Sequence, residues 1–232
     1  MSITSNEAFG ATDAVAERVY LRDVFAWMIL ALAITTGVAI YLSSANAAQY
    51  FIDHPAALWI LFIVQIGMVI ALTAGLMRIS PTTAAVMFCV YAGLNGATFA
   101  ILFQVYTTAS IVGAFAGATG VFAGMAAYGY FTTRDLTSIG GILFGALIGL
   151  IVASIAYIFI GGQTLNLVIG WLGVIIFAGF TAYDIQRIKQ LRTQFRGDEA
   201  TAQKLAIYGA LALYLDFINL VISLLRIFGN SR

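Results

Sequence analysis

The chain has 232 residues, of which 62% are hydrophobic and only 9% are charged, and its formal net charge at pH 7 is +1. Soluble domains carry roughly a quarter charged residues, so this chain lacks the charge to cover a water-facing surface, and we expect lipid to surround it. The near-neutral charge balance argues against a nucleic-acid partner. Cys89 is the only cysteine, which excludes an intrachain disulfide and a cysteine-based metal site.

The N-terminal 23 residues are polar and acidic, unlike a signal peptide, which joins a basic start directly to an apolar core. They are predicted to form a cytoplasmic tail. Seven apolar stretches follow, each about as long as the 20 residues that a helix needs to cross the hydrocarbon core: 24–43, 56–77, 84–106, 109–131, 138–160, 164–183 and 205–228. The pattern predicts an all-α integral membrane protein, with a seven-helix transmembrane domain over residues 24–229 and a C-terminal tail at 230–232.

The distribution of lysine and arginine predicts the orientation, because cytoplasmic loops are enriched in both. The N-terminal tail and the second, fourth and sixth connections hold nine of these residues: Arg18, Arg22, Arg78, Arg134, Arg187, Lys189, Arg192, Arg196 and Lys204. The other connections hold none, so the N-terminus is predicted to be cytoplasmic. Arg226 and Arg232 fall on the opposite side, and a re-entrant last segment, which would bring them inside, is the alternative.

Small residues recur at every fourth position in two of the spans. Gly141, Gly145 and Gly149 do so in the fifth span, and two glycine pairs do so in the fourth, Gly113 with Gly117 and Gly120 with Gly124. Because helices in lipid associate by close backbone approach, these ladders predict helix-packing faces.

Asp216 lies eleven residues into the last apolar stretch, on the order of 16 Å deep at 1.5 Å per residue. An ionised carboxylate at that depth costs about 2.5–3.5 kcal/mol, so it must face protein or water. Residues at spacings of three and four place it on one stripe: Gly209, Ala212, Asp216, Asn219, Ser223 and Arg226. The stripe predicts a hydrated face; an aspartate that caps a kink or bonds to a neighbouring helix is the alternative.

Asp184 ends the sixth span, and local pairing with Arg187 three residues later is one interpretation. Because the last two spans are consecutive, they are predicted to be antiparallel neighbours. If the sixth helix continues to about Leu191, Asp184 and Asp216 meet in the cytoplasmic half of the bundle. Desolvation and repulsion oppose double ionisation there, which predicts a shared proton, or a site for a hard cation such as calcium, which prefers oxygen ligands.

Arg78 ends the second span on the same side and is predicted to neutralise the aspartates as a removable latch, with a positive-inside anchor as the alternative. Other polar residues within the spans are candidates to line the same interior. They are Gln65, Asn95, Thr98, Asn219 and Ser223. His54 is the only histidine and cannot build a metal site alone.

Four segments of this sequence resemble the Bax inhibitor-1 family, also called the transmembrane Bax inhibitor motif or lifeguard family. They are Arg78-Ile79-Ser80-Pro81, residues 128–136, Thr181-Ala182-Tyr183-Asp184 and residues 213–220. The similarity runs from about Val24 to Gly229. It implies a seven-helix bundle with the last helix central, and a pH-sensitive calcium leak channel governed by an aspartate pair. That pair would be Asp184 and Asp216, with Arg78 as the latch; Gln65 stands near where many relatives carry a glutamate.

The predicted function is therefore a cation leak pathway, with calcium and protons as its partners, in a bacterial inner membrane. The alternatives are a non-conducting modulator of a membrane protease or another membrane protein, and a proton-coupled cation exchanger. An enzyme is not predicted. Tyr183-Asp184 matches half of the intramembrane aspartyl protease signature, but Leu213-Tyr214-Leu215-Asp216 lacks the glycines of the other half. No cofactor is predicted beyond calcium as a transported ion, or as one bound by the two aspartates.

Overall fold

The computed structural model describes residues 3–45, 47–194 and 198–230, with side chains from Glu17 onwards apart from those of residues 47, 48, 52, 193 and 194. The described residues form eight α-helices and no strand. The helices are α1 (Ile3–Ser44), α2 (Ala47–Asp53), α3 (Pro55–Gly75), α4 (Pro81–Val105), α5 (Thr108–Phe131), α6 (Thr137–Ile160), α7 (Gln163–Gln194) and α8 (Glu199–Phe228). A single 3₁₀ turn, Leu76–Arg78, extends α3.

Seven of the described helices are long and apolar enough to cross a membrane, which confirms the predicted all-α membrane architecture. They are α3 to α8, together with the part of α1 that begins at Glu17; α2 is a short helix between the first two spans. The backbone stays helical beyond the apolar stretches. Residues 3–23 of the predicted tail therefore continue directly into the first span, and α7 extends past Leu191 as predicted.

Side-chain caps set the start of three helices. Ser80 accepts a hydrogen bond from the Thr83 amide at the start of α4, and Thr107 does the same for Ser110 at the start of α5. Asp198 caps α8. Hydrogen bonds from Thr201 and Ala200 hold the pKa of the Asp198 carboxyl below its usual range, so this cap stays ionised and in place at neutral pH.

Two glycines reverse the chain between α6 and α7. Gly161 and Gly162 have φ angles of 68° and 96°, which side chains with a Cβ rarely adopt. The turn is short enough to hold α6 and α7 as antiparallel neighbours, and α6 packs mainly against α7.

The last helix is central, as the family resemblance implies. α8 packs against α1, α4, α5 and α7, and 72% of its most apolar window is buried, against 11% for α6. Its fully buried side chains include Leu213, Tyr214 and Leu220. The element that carries Asp216 is therefore the one most shielded from lipid.

The last segment crosses the full depth of the bundle, so the re-entrant alternative is wrong. Near its start, the Lys204 Nζ donates to the Met77 carbonyl just before α4, at 3.5 Å. Just past its end, Gly229 lies against the ring of Tyr106, just after α4. α8 therefore runs parallel to α4 over the same depth, as one unbroken 30-residue helix.

Arg226 is held by protein groups near the far end of α8. Its Nη1 donates to the Asn166 Oδ1 at 3.2 Å, and its guanidinium carbon lies 5.9 Å from the centre of the Tyr157 ring. Because Asn166 and Tyr157 interact with it, Arg226 can lie on the side of the membrane whose connections hold no lysine or arginine. Arg196 and Arg232, which entered the orientation count, lie outside the described residues.

The opposite end gathers the segments that were predicted to be cytoplasmic. The Lys189 Nζ lies 3.4 Å from the Glu17 carboxylate and donates to the Tyr130 carbonyl at 3.0 Å. Gln186 accepts a hydrogen bond from the Leu136 amide and donates to the Arg134 carbonyl, each at 2.8 Å. The beginning of the first span, the α5–α6 connection and the end of α7 therefore share one end of the bundle.

The glycine ladder predicted to pack on the fifth span does not do so. A Cβ added to Gly141, Gly145 or Gly149 would meet no described neighbour, so this face of α6 is open. In α5, only Gly117 of the four ladder glycines faces another helix, at Leu224. A repeat of small residues defines a face of a helix, but it does not determine whether that face points towards protein or lipid.

Candidate functional site

Close contacts at small residues set the register of α7 against α8. Gly170 lies against Ile227, Gly173 against Ser223, and Gly209 against Ile188. These contacts show two antiparallel helices with closely approaching backbones. In this register Asp216 is level with Thr181, and Asp184 lies one helical turn nearer the connection between α7 and α8.

Asp216 is buried within the bundle, with 5% of its surface exposed. Its Oδ2 is fully enclosed and has no hydrogen-bond partner among the described residues. Buried polar atoms are almost always hydrogen-bonded, and an unpaired buried carboxylate is costly. This oxygen therefore calls for a proton, a cation or a water molecule.

Asp184 is half-buried on α7 and close enough to Asp216 for the two carboxylates to interact electrostatically. It also interacts electrostatically with Arg187. No ion pair between Asp184 and Arg187 and no hydrogen bond between Asp184 and Asp216 is present among the described residues, so the local pairing and the shared site both stay predictions.

Two close helix approaches hold the turn of α7 that carries Asp184. A Cβ at Gly129 of α5 would collide with the backbone of Ala182, and a Cβ at Gly140 of α6 would collide with the ring of Tyr183. The residues just before Asp184 are thus enclosed from two sides. Thr181, level with Asp216, is fully buried and donates to the Phe177 carbonyl at 2.8 Å.

Arg78 does not lie against the aspartates in this structure. It is exposed at the end of the 3₁₀ turn, and within the described ranges it forms no ion pair with Asp184 or Asp216. Arg187 is the cation that acts on Asp184, and its guanidinium carbon lies 5.6 Å from the centre of the Tyr208 ring. A latch role for Arg78 stays a prediction.

The polar stripe of α8 faces α7. Gly209, Ser223 and Arg226 all contact that helix. The Asn219 amide donates to the Leu215 carbonyl at 2.8 Å, and the Ser223 hydroxyl donates to the Asn219 carbonyl at 2.7 Å, so both side chains bond to their own helix. Hydration of this stripe stays a prediction.

The remaining candidates for lining the interior lie on α3 and α4. The Gln65 Nε2 donates to the Thr98 Oγ1 at 3.0 Å and joins these two helices. The buried Asn95 donates to the Tyr91 carbonyl at 3.2 Å. No described hydrogen bond connects any of the three to the aspartates, so the structure does not bring them into one polar cluster with Asp184 and Asp216.

A buried hydroxyl pair near Asp216 was missed from the sequence. The Thr35 Oγ1 of α1 lies 2.7 Å from the Tyr214 hydroxyl and 2.9 Å from the carbonyls of Ala31 and Ala92. These hydrogen bonds therefore join α1, α4 and α8 at Tyr214, which precedes Asp216 by two residues in the chain. A threonine in the middle of an apolar span was the available signal.

Two carboxylates alone do not complete the coordination of a calcium ion. No group of three histidine, cysteine or acidic side chains comes together in the parts of the chain that the structure describes. Calcium binds six to eight oxygen ligands, more than the four oxygens of two carboxylates. Backbone carbonyls or water would have to supply the remaining ligands, and calcium binding by Asp184 and Asp216 stays a prediction.

Comparison with known proteins places the chain in a family. The family model described as "Inhibitor of apoptosis-promoting Bax1" matches residues 17–232. The inner membrane protein YbhL of Escherichia coli K12 is 38% identical, over 97% of this chain and 100% of the relative. An uncharacterized protein of Borreliella burgdorferi is 38% identical over 92% of each chain, and the uncharacterized protein RP147 of Rickettsia prowazekii is 37% identical over 93% and 91%. The chain therefore belongs to the Bax inhibitor-1 family of membrane proteins.

Proposed function

We propose that this protein is a pH-sensitive cation leak channel, with calcium as the principal ion, in which Asp184 and Asp216 form the proton-sensing gate. The observation that carries the proposal is the Asp216 Oδ2, which is enclosed in the central helix with no described hydrogen-bond partner, within electrostatic reach of a second carboxylate. Because nearly all buried polar atoms are hydrogen-bonded, an enclosed carboxylate oxygen with no protein partner supports a site that takes up a proton, an ion or water.

The chemistry of two interacting carboxylates supports a switch. With one shared proton, the two groups attract each other and α7 stays against α8. With no proton, two like charges in a poorly hydrated interface repel, and water or a cation must enter to separate them. Because α7 and α8 contact each other through small residues along their length, a change at the aspartates acts directly on their separation.

The proposal describes transport rather than catalysis. Leu213 and Leu215 occupy the two positions before Asp216 where an intramembrane aspartyl protease needs glycine, and Leu213 is fully buried. Calcium is then the transported ion and not a bound cofactor. The similarity to an inner membrane protein of Escherichia coli supports the same membrane for this chain, and we propose a cytoplasmic N-terminus.

Replacement of the enclosed carboxylate tests the gate. Purified protein is reconstituted in liposomes that contain a calcium-sensitive dye, and flux is measured from pH 5 to 8. Asp216→Asn keeps the shape but cannot ionise, so we expect flux that no longer varies with pH. Asp53→Asn, at the exposed last residue of α2, is the matched control and should keep the wild-type profile.

Two outcomes would contradict the proposal. An unchanged pH profile in Asp216→Asn would remove the aspartate pair as the sensor. Absence of calcium flux from correctly folded wild-type protein would remove the channel and leave the modulator of another membrane protein as the alternative.

A further inference from the structure

A large cleft lies apart from the aspartate pair, between α1, the start of α4 and the start of α8. Its volume is about 880 Å³, within the range of roughly 300–1,000 Å³ typical of small-molecule sites. The cleft is at the end of the bundle where α7 joins α8, because Glu199 and Arg192, on either side of that connection, both line it.

The lining changes from polar to apolar with depth. The polar and charged part of the lining includes Asp23 on α1, Thr82 and Glu199 at the starts of α4 and α8, and Arg192 near the end of α7. Farther along the same helices the lining is apolar. Trp27 and Leu30 follow Asp23 on α1, Ala85 follows Thr82 on α4, and Ala206 and Ile207 follow Glu199 on α8. From Asp23 to Leu30, or from Glu199 to Ala206, the distance is about 10 Å along the helix.

One buried polar group in this cleft lacks a partner. Tyr20 lines the cleft and is 4% exposed, and its hydroxyl has no hydrogen-bond partner among the described residues. Arg192 lies close enough to act on it electrostatically. Because buried hydroxyls are normally hydrogen-bonded, this one points to a bound group that carries an acceptor or donor.

We propose that the cleft binds one phospholipid whose headgroup carries a primary ammonium group beside its phosphate. The two carboxylates, Asp23 and Glu199, suit the ammonium, and the Arg192 guanidinium with the Tyr20 hydroxyl suits the phosphate. The acyl chain lies along Trp27 and Leu30 towards Ala206. Asp23 also pairs with the exposed Arg22 at 3.0 Å, so the ammonium shares that carboxylate.

Charge complementarity selects this lipid over the other common classes. The lining carries two carboxylates and one guanidinium, so a headgroup with both an ammonium and a phosphate can pair with both kinds of charge, whereas an anionic headgroup without an ammonium leaves the Glu199 carboxylate unpaired. A trimethylated ammonium has the same charge as a primary one but donates no hydrogen bond, so it should bind more weakly. The polar-to-apolar order along the helices also matches a lipid anchored at the membrane surface.

Native mass spectrometry of the full chain in detergent tests the site. The protein is titrated separately with phosphatidylethanolamine, phosphatidylcholine and phosphatidylglycerol of identical acyl chains, and the first binding event is quantified. We expect phosphatidylethanolamine to bind at least about tenfold more tightly than the other two, as the loss of one hydrogen bond to a charged group implies. Equal affinity for all three lipids, or preference for phosphatidylglycerol, would overturn the proposal.

Variants then locate the binding event. Glu199→Gln should reduce the preference for phosphatidylethanolamine over phosphatidylcholine by about tenfold, and Tyr20→Phe should weaken phosphatidylethanolamine and phosphatidylcholine alike. Both changes remove a polar group without adding bulk, so the fold should be kept. Asp53→Asn is the control outside the cleft. If neither Glu199→Gln nor Tyr20→Phe changes lipid affinity, the cleft is not the site.

Discussion

Arg187 and Arg78 make different contributions to the charge around the aspartate pair. The resemblance to the family assigns the latch to Arg78, whereas the structure shows Arg78 exposed and Arg187 acting on Asp184. The distinction matters because a nearby cation favours the ionised form of a carboxyl group. In the proposed gate, Arg187 is therefore the arginine expected to influence the pH at which the pair changes its charge.

Neutralising each arginine separately distinguishes these roles. Loss of a favourable cation in Arg187→Gln makes the pair easier to protonate, so the midpoint of the flux–pH profile should move to higher pH. The shift should be about 0.5 pH unit, because Arg187 is exposed and screened by solvent. Arg78→Gln is the matched variant and should leave the midpoint unchanged; a shift in Arg78→Gln alone would restore the latch assignment.

The contact between α5, α6 and α7 shows how helix packing positions the site. At Gly129, α5 lies against the backbone of Ala182, and at Gly140, α6 lies against the ring of Tyr183. Both contacts are next to Asp184. Neither glycine belongs to the repeats that the sequence singled out. The open glycines Gly141 and Gly145 lie one and five residues from Gly140, on faces of α6 that meet no described neighbour.

Alanine substitution should have different effects on stability at Gly129 of α5, which contacts the backbone of α7, and at Gly141 of α6, which is open. Gly129→Ala should lower the free energy of unfolding by about 1–3 kcal/mol, because the added methyl group meets a backbone that cannot move aside. Gly141→Ala should leave stability unchanged or raise it by up to about 1 kcal/mol through helix propensity. Unfolding in mixed micelles with increasing SDS measures both. Equal effects of the two substitutions would show that the α5–α7 approach is looser than described.

The whole bundle has two distinct ends. One end combines Glu17, Lys189 and the α5–α6 connection, and the other combines the end of α8 with the α4–α5 connection, where the Thr107 amide donates to the Asn230 carbonyl at 3.1 Å. The proposed orientation places the first end, rich in lysine and arginine, in the cytoplasm. In that orientation, the cleft proposed to bind lipid lies at the cytoplasmic end, and Asp184 lies in the cytoplasmic half of the bundle.

Cysteine labelling in intact cells tests this orientation. Cys89→Ala removes the only cysteine, and single cysteines are then introduced as Asp53→Cys and Thr133→Cys, both at exposed positions. A membrane-impermeant maleimide should label Asp53→Cys from outside the inner membrane. It should label Thr133→Cys only after the membrane is permeabilised. The reverse pattern would place the N-terminus on the outer side and the aspartate pair towards the outer half.

Sequence alone determined the membrane class, the seven spans and the unusual depth of Asp216, because hydropathy and span length are local properties of the chain. The approach of Asp184 to Asp216 was predicted from connectivity, since consecutive spans with a short connection pack as neighbours, and α7 and α8 do pack closely in the structure. The tertiary structure decided which face of each helix is inside. For this reason the face of α6 that carries Gly141 is open although it was predicted to pack. For the same reason Gln65 bonds to Thr98 and not to an aspartate, and the cleft lined by Tyr20 was not predicted. A helical repeat specifies a face by its own spacing, but the partner of that face is set by side chains from distant parts of the chain.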